Sequence, residues 1–103
     1  MQKEENKKMN VKQFSMIGYF IKHYFNWSMD YSDLESCIED FLIRENKQNI
    51  EALKKEIKIM YRLNDPELIR EVSYRLGDRG IATDKALNMI KLIYIKTCAE
   101  EIQ

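Results

Sequence analysis

The residues able to do chemistry in this chain are few and far apart. His23 is the sole histidine. It lies within Tyr19-Phe20-Ile21-Lys22-His23-Tyr24-Phe25, with no second histidine, vicinal cysteine or spaced carboxylate to complete a metal site. As a general base it would need partners delivered by the fold, so an enzyme would have to assemble its site from scattered residues such as His23, Tyr24 and Asp30. Read locally, His23 is a packed or partly exposed structural residue. Cys37 and Cys98 fall on apolar stripes and are expected to be buried, reduced thiols that react slowly with thiol reagents. Gly18, Gly77 and Gly80 fit neither glycine-rich phosphate-binding pattern. No catalytic residue, metal ligand or cofactor is expected.

Charge is the property that does concentrate. Between Asp30 and Glu45 stand six acids, Asp30, Asp33, Glu35, Glu39, Asp40 and Glu45, against one base, Arg44, a local charge of −5. Helical spacing puts Glu35 and Glu39 on one flank and Asp33 and Asp40 on the other, with Ile43 between them and opposite the apolar stripe. Like charges at that spacing repel, so the arrangement does nothing for the isolated helix. It has two readings. One is a solvated acidic face carrying a stray apolar residue; the other is an apolar anchor in an acidic rim, suited to a basic protein partner. On the second reading the binding residues are Asp30, Asp33, Glu35, Glu39, Asp40 and Ile43.

Positioning that face requires helices. Val11, Phe14, Ile17, Phe20 or Ile21, and Tyr24 or Phe25 recur at helical spacing and predict a first, aromatic helix over 11–25. A loop follows over 26–31, with Trp27 and Met29 expected against the core. Ser32-Asp33-Leu34-Glu35 fits a capping box opening a second helix, whose apolar stripe is Leu34, Cys37, Ile38, Phe41 and Leu42. Asn49 is expected to cap a third helix to Leu63, after the polar stretch Glu45 to Gln48. Asp65-Pro66 opens a fourth, and Gly77 is expected to end it in left-handed geometry. Thr83-Asp84 opens a fifth helix to about Glu101, apolar nearly all round over 87–95 and therefore central. Residues 1–10 are charged and aperiodic, a frayed lead-in. The expected fold is all-α: a single domain over 11–103, built as a compact bundle of about five helices.

Composition agrees. The 103 residues are one domain's worth, and 45% hydrophobic content suffices for one core without disulfide or metal staples. Three Gly and one Pro leave little for the turns of an all-β fold. Seventeen basic residues balance seventeen acidic ones, so the basic field that holds nucleic acid is missing and no binding of nucleic acid by the protein alone is expected. A helix-turn-helix regulator built on 68–89 remains an alternative, although its second helix would offer only Lys85, Asn88 and Lys91 outward. The apolar stretch 14–25 is interrupted by Gly18, Lys22 and His23, so neither a signal peptide nor a membrane span is expected, and the expected location is the cytoplasm.

The order of short motifs resembles a family of immunity proteins from bacterial contact-dependent growth inhibition systems. Those motifs are Gly18-Tyr19-Phe20, an aromatic cluster to Trp27, Tyr31-Ser32, Glu39-Asp40-Phe41-Leu42, Glu56-Ile57, Asp65-Pro66-Glu67-Leu68 and Leu76-Gly77, closed by an apolar helix. They span Phe14 to Ile102 and consist mainly of core residues. Members usually carry a histidine-glutamine-aspartate-tryptophan run where this chain has Ile21-Lys22-His23-Tyr24. The resemblance implies a small cytosolic protein that binds and neutralises a cognate toxin domain, the C-terminal region of a large secreted effector and often a nuclease. Stoichiometry, oligomeric state and whether the toxin's active site is covered are left open.

Overall fold

Asn10 accepts a hydrogen bond from the Lys12 amide on its side-chain oxygen (2.9 Å) and so opens a 3-10 turn, Val11–Phe14, leading into α1, Ser15–His23. The computed structural model describes residues 10–102, with side chains through Cys98; the expected lead-in lies outside the described residues except for Asn10. The single helix expected over 11–25 is thus divided. Phe14 leaves helical geometry at the junction (φ −113°, ψ 38°) while its ring enters the core.

α1 has no capping side chain of its own. Its first amides are satisfied from across the bundle by Glu56, whose carboxylate accepts from Met16 (3.2 Å) and Ile17 (2.9 Å). Burial pushes the Glu56 carboxyl above its usual range, and the two amide bonds only partly offset this. Folded protein therefore holds this proton more tightly than the unfolded chain does. Stability from this group is present below about pH 4.5 and falls as pH rises through the folded value. Glu56→Gln keeps an acceptor for one amide and should flatten that slope in melting temperature against pH. An unchanged slope would place the dependence elsewhere.

A second 3-10 turn, Tyr31–Asp33, precedes α2, Leu34–Arg44. The expected cap moves: the Asp33 carboxylate, not Ser32, takes a backbone amide, that of Asp30 (3.0 Å), and the Asp33 amide returns to the Asp30 carbonyl (2.8 Å). α3, Lys47–Leu63, is capped by Asn46, whose side chain accepts from the Asn49 amide (2.8 Å), so Asn49 is the donor and not the cap. Asn64 ends α3 in the left-handed region (φ 51°). α4, Pro66–Gly77, begins as expected, with Asp65 accepting from Glu67 and Leu68 and Pro66 in the first turn. α5 runs from Thr83 to Ile102. These five α-helices, with no strand among the described residues, form the all-α bundle.

α5 packs against α2, α3 and α4, while α1 lies on α4 and α3. Met89, Ile90 and Ile93 of α5 are buried; among its described side chains the exposed ones are Thr83, Asp84 and Lys85 in the first turn and the line Asn88, Lys91 and Ile95 beyond it. Cys37 and Cys98 are buried and unbonded to each other. The α1–α4 crossing rests on two glycines. A Cβ on Gly18 would overlap the Leu76 Cβ, and one on Gly77 would stand 2.6 and 2.7 Å from Ile21 Cγ2 and Cβ. Gly77 therefore serves close helix packing, and the left-handed residue ending α4 is Asp78 (φ 59°), a correction to the expected glycine cap.

Candidate protein-binding surface

Leu34, Cys37, Ile38 and Phe41 anchor α2 on the core, which forces the intervening positions outward. Ile43 is 80% exposed, a large apolar side chain held in water by a rigid helix. Glu39 lies four residues before it and Asp40 three, so both stand beside it on the same face. The acids around it differ in how firmly they are held. Lys96, reaching across from α5, pairs with Glu35 (2.9 Å) and Glu39 (3.2 Å), and those hydrogen bonds raise the Lys96 ammonium above its ordinary pKa. With Lys96 counted, and without Glu45, which is bound by two tyrosines, the face carries −3. Asp33 is engaged in the turn that starts α2. Asp40 forms only a long, exposed pair with Arg44 (3.8 Å), whereas Asp30, though exposed, shares the capping box with Asp33. Asp40 is thus the acid with the most freedom to meet a partner.

Glu45 does not belong to the rim. Its carboxylate accepts from the hydroxyls of Tyr19 (2.8 Å) and Tyr24 (2.5 Å) and from the Asn49 amide group (2.8 Å), tying α1, α2 and α3 together. The Tyr24 bond foremost, then the Asn49 and Tyr19 bonds, hold its carboxyl below the usual range. Tyr24 is pushed up to about 12 by burial and by the same carboxylate.

Beside these tyrosines runs a groove of about 310 Å³, walled by Tyr19, His23, Tyr24 and Met29 on one side and by Ser36, Asp40 and Arg44 on the other. His23 is exposed and packs on Tyr19, ring centroids 4.6 Å apart. The groove brings His23 and Tyr24 together, but Asp30 is not among its walls. Cys37 lies at its floor, its thiol pushed up by burial first and by the Asp33 and Asp40 charges second, which opposes the thiolate form a nucleophile needs. Among the described residues no three His, Cys, Asp or Glu side chains are grouped to hold a metal ion.

Trp27 corrects another expectation. It is 76% exposed, and the side chain that packs between this loop and the core is that of Arg79. The Arg79 guanidinium lies 4.0 Å from the Phe25 ring centroid and donates to the carbonyls of Phe25 (3.0 Å) and Asn26 (2.8 Å). Asn26 in turn accepts from the Ser28 amide, and the fixed loop leaves Trp27 outside.

No family model, curated protein or solved structure matches this chain. Among the described residues no helix is long and apolar enough to cross a membrane. The features with the clearest reading are surfaces: an acidic helix with an exposed apolar side chain in its last turn, and an exposed tryptophan on a pinned loop.

Proposed function

We propose that the chain is an immunity protein of the contact-dependent growth inhibition type. On this reading it binds one cognate toxin domain in the cytoplasm, stoichiometrically and without chemistry of its own. The observation that carries the reading is Ile43, exposed on α2 between Glu39 and Asp40. An apolar side chain on a rigid helix costs little conformational entropy on binding, and an acidic surround steers a basic partner to it. A nuclease is the toxin class such a face suits, since an enzyme that grips RNA or DNA needs a basic cleft. The family resemblance of the motif order points the same way. The helix-turn-helix alternative has less support, because α5 packs against α2, α3 and α4 and the cations on its exposed face are only Lys85 and Lys91 among the described residues.

On this reading the cognate toxin domain is encoded beside this gene, at the end of a large secreted protein, and the test uses that domain. Reversing Asp40 to Lys should slow association about threefold at low salt and flatten its salt dependence. Glu39, Asp33 and Asp30 are unsuitable for reversal, since they hold Lys96 and the α2 turn. Unchanged rates in a folded variant would exclude this face. Exposed Trp27 favours a second contact centre, for which Trp27→Ala should then weaken binding by about 2 kcal/mol.

A further inference from the structure

On the other side of α5 from Lys96, the surface has the opposite character. Tyr61 of α3 and Tyr94 of α5 stack with ring centroids 4.2 Å apart and planes 3° apart, and Tyr61 is 43% exposed. Tyr61 forms a ridge between two grooves. One, of about 420 Å³, is lined by Lys58, Tyr61, Arg62 and Tyr94. The other, of about 350 Å³, includes Tyr61, Leu87, Ile90 and Lys91. Among the described residues, the charged side chains lining the two grooves are the cations Lys58, Arg62 and Lys91. Arg62 and Lys91 are exposed and form no ion pair among the described residues.

We propose that this α3/α5 face docks an acidic polypeptide segment, whose carboxylates meet Arg62 and Lys91 while an apolar or aromatic side chain packs on the Tyr61–Tyr94 ridge. Charge decides the sign of the occupant, and the aromatic ridge decides that charge alone is insufficient. A nucleic-acid strand is less suited. Each tyrosine already gives one ring face to the other, and the neutral chain offers no basic tract to follow a phosphate backbone. A second copy of the chain is also less suited, because its acidic helix offers only Asp40, beside its own Arg44, and Ile43: Lys96 holds Glu35 and Glu39, and Asp30 and Asp33 cap the turn before it. The inference is independent of whether α2 meets a toxin.

The experiment titrates the full-length protein with a random glutamate–tyrosine copolymer while following backbone amide resonances. Polyglutamate, single-stranded oligothymidylate and increasing protein concentration without any probe serve as comparisons. Copolymer should shift resonances around Tyr61, Tyr94 and Lys91, weaken with salt, and bind at least tenfold more tightly than polyglutamate. Arg62→Glu with Lys91→Glu should reduce copolymer binding at least tenfold with the melting temperature kept, whereas Asp40→Lys should leave it unchanged. The proposal is overturned if the copolymer causes no shift, or if polyglutamate binds equally well. It is overturned too if oligothymidylate binds the same residues more tightly, or if concentration alone shifts them and assigns the face to a second copy.

Discussion

Replacing Gly18 by valine should destabilise the protein by about 3 kcal/mol, with Gly18→Ala costing roughly 1–2 kcal/mol. The reason is local to the α1–α4 crossing. The new Cβ would overlap Leu76 at its own Cβ and lie 3.3 Å from its backbone carbonyl carbon, so no flexible side-chain end can yield. The helices must separate, and separation opens the apolar contact they share. Helix propensity opposes the effect, since alanine is favoured over glycine by about 1 kcal/mol within a helix, and valine by less. Valine therefore shows the steric cost more fully. Gly77→Ala should fall between the two, as it meets Ile21 side-chain atoms at 2.6 and 2.7 Å, and Ile21 is fully buried. Gly80 is the internal control. Nothing lies within 4 Å of its Cβ position and its φ is not positive, so Gly80→Ala should stabilise by about 0.5 kcal/mol. Thermal melts separate these outcomes, because each kcal/mol moves the midpoint of a domain this size by roughly 4–8 °C. Similar effects at Gly18 and Gly80 would show that the crossing is not what fixes α1.

These glycines also mark where local reading of the sequence ends. Five helices were legible because their apolar stripes recur at helical spacing and their starts carry local signals; Asp65-Pro66 works within one turn and lies where expected. Caps failed where two frames overlapped. Ser32/Glu35 and Asp30/Asp33 both offer an oxygen-bearing residue three positions before a carboxylate, and the chain uses the earlier pair. Asn46 and Asn49 are likewise three apart, and the first is the cap. Gly77 was misread because a glycine near a helix end suits both a left-handed cap and a close crossing, and only the partner helix distinguishes them. The outward placement of Ile43 followed from periodicity alone. Lys96 did not: it lies more than fifty residues from Glu35 and Glu39, and no local pattern ties them. The same holds for Arg79, which packs between the Trp27 loop and the core, and for the Tyr61–Tyr94 stack. Long-range polar contacts and aromatic pairs are set by the packing of α5, which single-sequence periodicity leaves open.

Ile43→Asp should raise the dissociation rate of the toxin complex about thirtyfold or more while changing association far less. A central apolar anchor acts after encounter, once water has left the contact, and a hot-spot side chain is worth about 2 kcal/mol or more. The substitution also leaves an added carboxylate against the partner, beside Glu39 and Asp40, so the complex loses packing and gains a desolvation cost together. Because the added charge has the sign of the existing rim, steering of a basic toxin is preserved or slightly strengthened. This contrasts with the Asp40 reversal, which should act mainly on association. The fold is expected to tolerate the change: Ile43 is 80% exposed and outside the buried stripe of α2. Paired rate measurements with a melting curve for each variant therefore give two separable signatures from one helix. An unchanged dissociation rate in folded Ile43→Asp protein would remove Ile43 as the anchor. If the Asp40 reversal still slowed association, α2 would remain the guiding surface and the anchor would pass to Trp27, a large side chain that this fold leaves 76% exposed beside the ends of α1 and α4.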